Sequence, residues 1–184
     1  MKKPKITTTA LQVFSNLVSS TFNNNDDFSY INCGGCGAFA LMLGIKLQKL
    51  GLRVQYHGYN RNKRGLNIKA IMSSDKKYNS VSDHIIVYVP AQFVNKQRID
   101  AFYLDAQFGK KRTVEDTHYH YWNHTDIIPE KVLKKMCNKV IGWNSMFDRK
   151  LIPVINDELT VIIEEVFEVT IKAKPKIKIY SDKI

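Results

Sequence analysis

Asn32-Cys33-Gly34-Gly35-Cys36-Gly37-Ala38-Phe39-Ala40 is the stretch on which the fold turns. Its glycines lead straight into apolar residues at helical spacing, with Cys36, Phe39, Ala40, Leu43, Leu47 and Leu50 on one face. Leu41, Met42 and Ile45 fill much of the remainder. The spacing therefore predicts a helix over 36–50 that is apolar nearly all round and buried at the centre of the fold. Gly51 stands where a helix ends in a left-handed residue, with Lys46 and Lys49 in the last turns. A cysteine in the first turn of such a helix lies among unpaired amides that favour a thiolate, and small neighbours leave room for a carbonyl. Taken alone, the same pattern also describes a buried structural thiol in a glycine-rich turn.

Working outward, residues 7–22 read as an amphipathic helix. Leu11, Phe14, Leu17, Val18 and Phe22 recur at three- and four-residue steps, Thr7 to Thr9 offer a cap, and the polar run Asn23 to Asp27 ends it. Beyond Gly51 the pattern changes to strands at Leu52 to Tyr56, Leu66 to Met72, His84 to Val89 and Ala101 to Asp105. Pro129 to Val140 reads as a helix with proline at its start. Asn156 to Val166 has helical spacing and a capping Asn156, while its β-branched content makes a strand the competitor. The tail from Ile171 alternates lysine with apolar residues, as an edge strand or arm would. The class expected is α+β, with helices first and an antiparallel sheet after them, in a single domain over 1–184.

A base for Cys36 is available in the strands. His84 opens one run and Asp105 closes another, with a loop around Gln92 to Arg98 between them. A hairpin centred between Val94 and Asn95 sets His84 opposite Asp105, on one face and within reach of a hydrogen bond. Asp105 then orients His84, and His84 takes the proton of Cys36. The amide of Cys36 can donate to an oxyanion, and Tyr30 or Asn32 just upstream can supply a second donor.

Gly35-Cys36-Gly37-Ala38-Phe39-Ala40, then Leu50-Gly51-Leu52-Arg53-Val54 and Gly58-Tyr59, then His84 to Val89 and Tyr103-Leu104-Asp105-Ala106, resembles the core of the transglutaminase-like cysteine enzymes. The likeness covers roughly residues 30 to 108. It implies a central helix carrying the nucleophile Cys36 packed on an antiparallel sheet, with His84 as base and Asp105 as its orienting partner. Cys33 to Phe39 also resembles the papain nucleophile segment, but Gly37 replaces the aromatic expected after the cysteine. His84 also follows too soon for the papain spacing. Within this papain/transglutaminase-like superfamily, the resemblance implies a cysteine protease or amidase acting through a thioacyl-enzyme on a protein or peptide, or acyl transfer to an amine. It implies no cofactor and no metal.

Other readings compete. Cys33 and Cys36 with His118, His120 and His124 could make a zinc site, although Cys36 lies in an apolar helical stripe. His57 is an alternative base, and Cys137, beside Val132, Leu133, Met136 and Val140, reads as a core thiol. The chain of 184 residues carries 28 Lys and Arg against 17 Asp and Glu, for a net charge of +11, which points to an acidic partner. Much of the excess sits in two terminal arms and in 45–79, where Arg61, Lys63 and Arg64 flank tyrosines and could meet nucleic acid. No recognisable nucleic-acid module accompanies them, so an inactive interaction module binding nucleic acid or protein is the second functional class. Three cysteines suit a reducing compartment, the cytoplasm. The absence of a long apolar run argues against a membrane partner.

Overall fold

Thr7 starts the first helix. Its Oγ1 accepts the Ala10 N–H at 3.0 Å, and α1 runs Thr8–Asn23 with Leu11, Phe14, Val18 and Phe22 as its buried stripe. Leu17 lies half-buried at the margin. The structure, a computed structural model, describes residues 4, 6–23, 28, 31, 35–60, 84–106, 109–111, 123–139 and 148–168, with backbone alone at 60, 109–111, 123–126, 138 and 139. The predicted strand Leu66 to Met72, the basic loop at Arg61 to Arg64, the tail from Ile171 and most of both basic arms lie outside the described residues.

The second helix, α2 (Cys36–Lys49), is buried on nearly every side, as its sequence requires. It closes with two hydrogen bonds: Gly51 N–H donates to Gln48 O at 2.9 Å and Leu52 N–H donates to Leu47 O at 3.1 Å. The second of these needs a left-handed residue between, and Gly51 supplies it at φ +89°.

That ending corrects the expected strand at Leu52 to Tyr56, because β1 spans Gln55–Asn60. The Leu52 amide is spent on the helix. Arg53 is held by a side chain instead, its N–H donating to Gln92 Oε1 at 2.8 Å and its carbonyl accepting from Gln92 Nε2 at 3.1 Å. Leu52 has no N–H left to donate to the ladder, and both backbone groups of Arg53 are engaged.

The remaining strands are β2 (His84–Val89), β3 (Gln92–Val94), β4 (Gln97–Ile99), β5 (Phe102–Asp105), β6 (Gly109–Lys111) and β7 (Asn123–Ile128). Five of them form an antiparallel sheet in the order β6-β5-β2-β1-β7, while β3 and β4 pair separately as a hairpin where a loop was expected. Asn95 and Lys96 make its turn at φ 49° and 68°, the left-handed pair that a two-residue hairpin turn needs.

Two further helices, α3 (Glu130–Lys139) and α4 (Leu151–Phe167), pack with the sheet around α2. Pro129 caps α3 through its carbonyl, which accepts from Val132 at 2.8 Å and Leu133 at 3.0 Å. The expected start of α4 at Asn156 is corrected, since Asn156 lies inside the helix and is buried. Asp148 makes the turn that leads into it: its carbonyl accepts from Leu151 N–H at 3.0 Å and its Oδ1 from Lys150 N–H at 2.9 Å. Pro153 sits in the first turn, where no intrahelical donor is missed. The strand alternative fails because Ile152, Ile155, Leu159, Ile162 and Ile163 bury one helical face. Phe14 and Phe167, with ring centroids 5.6 Å apart, join α1 to α4. The class is α+β, helices with an antiparallel sheet. No helix among the described residues is long and apolar enough to cross a membrane.

Candidate active site

Cys36 opens α2 directly after Gly35, whose lack of a side chain leaves the first-turn amides without a side-chain cap. The same turn rests on the start of β2: a Cβ added to Gly37 would lie 3.4 Å from Ile85 Cδ1 and 3.6 Å from Leu133 Cδ1 of α3. His84, the first residue of β2, therefore comes to the helix start. Antiparallel β5 ends at Asp105 at that same end of the sheet.

The pairing differs from the expected one. Val87 faces Leu104, Tyr88 faces Tyr103 and Val89 faces Phe102. Continuing that register sets Asp105 opposite Ile86, with His84 as its diagonal neighbour. The cause lies in the hairpin beyond, where Val94 faces Gln97, so the turn pivots between Asn95 and Lys96 and not between Val94 and Asn95. A slip of two residues preserves the faces that a slip of one would exchange. Diagonal neighbours lie about 7–8 Å apart, within reach of a long side chain. His84 Nε2 and Asp105 Oδ2 meet at 3.1 Å, and the two residues are 1% and 5% exposed.

The Cys36 thiol lies close enough to the same imidazole to act on its titration. Burial on its own pushes the His84 imidazolium down. The hydrogen bonds with Asp105 and Cys36 and the negative charge of both outweigh it, raising His84 to about 9. The expected trio of Cys36, His84 and Asp105 is thus brought together from α2, β2 and β5.

The other candidates fare differently. His57 lies within β1 on the sheet face turned away from α2, buried against the rings of Tyr88 at 4.8 Å and Tyr103 at 5.8 Å, with Nε2 3.1 Å from Gln55 Oε1. In this register it pairs with Ile86, on the same sheet face as His84, with Gln55, Tyr88 and Tyr103 as its neighbours. Tyr30, Asn32, Cys33, His118 and His120 lie outside the described residues, and His124 is placed only as the backbone partner of Tyr59. Cys137 is more than a core thiol, because its Sγ would lie 3.8 Å from a Cβ on Gly37, against the first turn of α2. Burial, then the charge of Cys36, push the Cys137 thiol up to about 12. The periodicity of α3 marked its apolar face, but nothing local to 130–139 indicated that this face would meet the start of α2. No family model, no curated protein and no solved structure matches this chain.

Proposed function

We propose that this chain is a cysteine-dependent hydrolase of amide or peptide bonds, built on a papain/transglutaminase-like domain. The observation that carries the reading is the buried His84–Asp105 hydrogen bond at 3.1 Å, with the Cys36 thiol near the same ring at the start of a helix. With Asp105 behind it, the ring is placed to take the proton that the thiol gives up as sulfur attacks. Sulfur attacks the carbonyl carbon, the C–S bond forms, and the displaced electron pair moves to the oxygen. The Cys36 amide is one donor for that oxygen, and Tyr30 and Asn32 are the candidates for another. As the C–N bond breaks, His84 passes its proton to the departing amine and leaves a thioacyl-enzyme. Neutral His84 then takes a proton from water, whose oxygen displaces the thiolate and releases the acid. An amine in place of water gives acyl transfer. Water is preferred by analogy with smaller members of the group, and a protein or peptide in the cytoplasm is the substrate class that fits.

A second reading, an inactive interaction module, is favoured by one observation: Cys36 is only 2% exposed. Alkylation decides between them. Treated with iodoacetamide at about pH 6 and mapped by mass spectrometry, Cys36 is expected to react at least tenfold faster than Cys137, and His84→Ala to abolish the difference. Slow, equal labelling of both thiols in the native protein would remove the catalytic reading.

A further inference from the structure

The hairpin β3–β4 stands at the end of β2 opposite His84, about 20 Å away at a strand rise of roughly 3.3 Å per residue. Its inner face is buried through Gln92, Val94 and Ile99. Gln92 fixes it further, with Oε1 accepting from Arg53 N–H and Nε2 donating to the Arg53 and Pro90 carbonyls. The hairpin is therefore held in one orientation. On its outer face Phe93 is 75% exposed and sits directly across from Arg98. Among the described residues it is the aromatic side chain in the set of large exposed apolar groups.

Cationic residues share the hairpin and its base with that ring. Lys96 occupies the turn at φ 68°, where glycine is easiest, so a charged side chain stands at a strained position. Arg53 reaches the base of the hairpin, its guanidinium donating to the Ala91 carbonyl at 3.3 Å. Asn95 Nδ2 donates to the Pro4 carbonyl at 3.2 Å, which ties the turn to the N-terminal segment. Among the described residues of the hairpin and its flanks, Asp100, 3.3 Å from Arg98 Nε, is the acid.

We infer that this outer face docks an acidic polypeptide segment that carries an aromatic or aliphatic side chain. Aromatic and arginine side chains are the groups that anchor protein interfaces, and the cations of the hairpin and its base complement carboxylates. A bilayer fits less well: Phe93 lies on the flat of the hairpin, behind a polar, cationic tip tied back to Pro4. Single-stranded nucleic acid calls for successive stacking rings along a track, and the face offers one.

The probe is a fluorescein-labelled glutamate–tyrosine copolymer, followed by fluorescence anisotropy at about 0.1 M salt. Phe93→Ala is expected to weaken binding about tenfold and Phe93→Tyr to retain it. Arg98→Glu and Lys96→Glu should each weaken it several-fold, whereas Lys131→Glu, the same change of net charge on an exposed face of α3, should not. Cys36→Ala should bind as the wild type does, so this surface stands or falls apart from the thiol chemistry. Unaltered binding by Phe93→Ala overturns the inference, as does an equal loss in Lys131→Glu, which would reduce it to bulk charge. Phe93-dependent binding of polyuridine or phosphatidylserine vesicles in place of the copolymer overturns it as well.

Discussion

His84 and Lys46 are both buried bases, and their environments push them in opposite directions. The raised His84 stabilises the folded state fully below its ordinary value of about 6.5, and that contribution is lost as pH climbs toward about 9. Lys46, 1% exposed, is lowered from 10.5 to about 8 by burial first and by neighbouring Lys49, against the opposing pull of Asp157 and Glu164. A folded value below the unfolded one means that holding this cation opposes folding at neutral pH, and the penalty fades between about 8 and 10.5. Its Nζ donates to Thr160 Oγ1, which in turn donates to the Asn156 carbonyl, so a single neutral contact offsets the burial. Lys46→Met should therefore gain about 1–2 kcal/mol at pH 7, read as a higher urea midpoint, and the gain should shrink at about pH 10. His84→Gln should cost most near pH 6 and progressively less toward about 9, and an unchanging cost would contradict the pairing. The sequence marked His84 and Asp105 by their places at strand ends. It gave no warning of Lys46, because a lysine on an apolar helix reads as a solvated C-terminal charge until α4 covers it.

Helix α2 carries two glycines that the structure uses differently. A Cβ on Gly37 would meet ordinary contacts at 3.4 Å and beyond. A Cβ on Gly44 would fall 2.4 Å from the Tyr56 hydroxyl and 2.6 Å from its ring. Gly37→Ala should accordingly gain up to about 1 kcal/mol from helix propensity. Gly44→Ala should cost about 1–3 kcal/mol through the forced shift of Tyr56, and Tyr56→Leu should rescue much of that loss. Denaturant midpoints of the four proteins test this, and equal effects of the two alanines would contradict the packing. The Tyr56 hydroxyl is buried without a hydrogen-bond partner among the described residues, and burial raises it far above the ordinary tyrosine value. Elements whose signals were local, α1, α2 and β2, were legible from spacing and caps. The start of β1 was not, because Gln92, far along the chain, takes the Arg53 backbone. The start of α4 was missed because Asp148 and Pro153 stand outside the apolar period that marks its body.

At the scale of the molecule, the trio is assembled from Cys36, His84 and Asp105 at one end of the sheet, with the hairpin at the other. No short segment contains all three residues, so their arrangement is a property of the packed whole. The fast alkylation of Cys36 should disappear at the same urea concentration as the far-ultraviolet helical signal. Loss of reactivity well before the helical signal would instead mark a separately loosened site. Sequence order and strand ends were enough to choose the three residues. The register that joins two of them was set by which residues turn the hairpin, Asn95 and Lys96, and neither is the glycine that announces such a turn.

The double hold of Gln92 on Arg53 has a mechanical consequence. It ties the far end of α2 to the far end of β2, closing a frame whose near ends carry Cys36 and His84. The helix of 14 residues is about 21 Å long at 1.5 Å per residue. The strand of 6 residues is about 20 Å long at 3.3 Å per residue. Two struts of matched length pinned at one end bring their free ends level, so the spacing of thiol and imidazole is set by residue counts along both bars. One residue added to the helix would lift the sulfur by about 1.5 Å and turn it by roughly 100°, while one added to the strand would carry the imidazole some 3.3 Å and onto the opposite face.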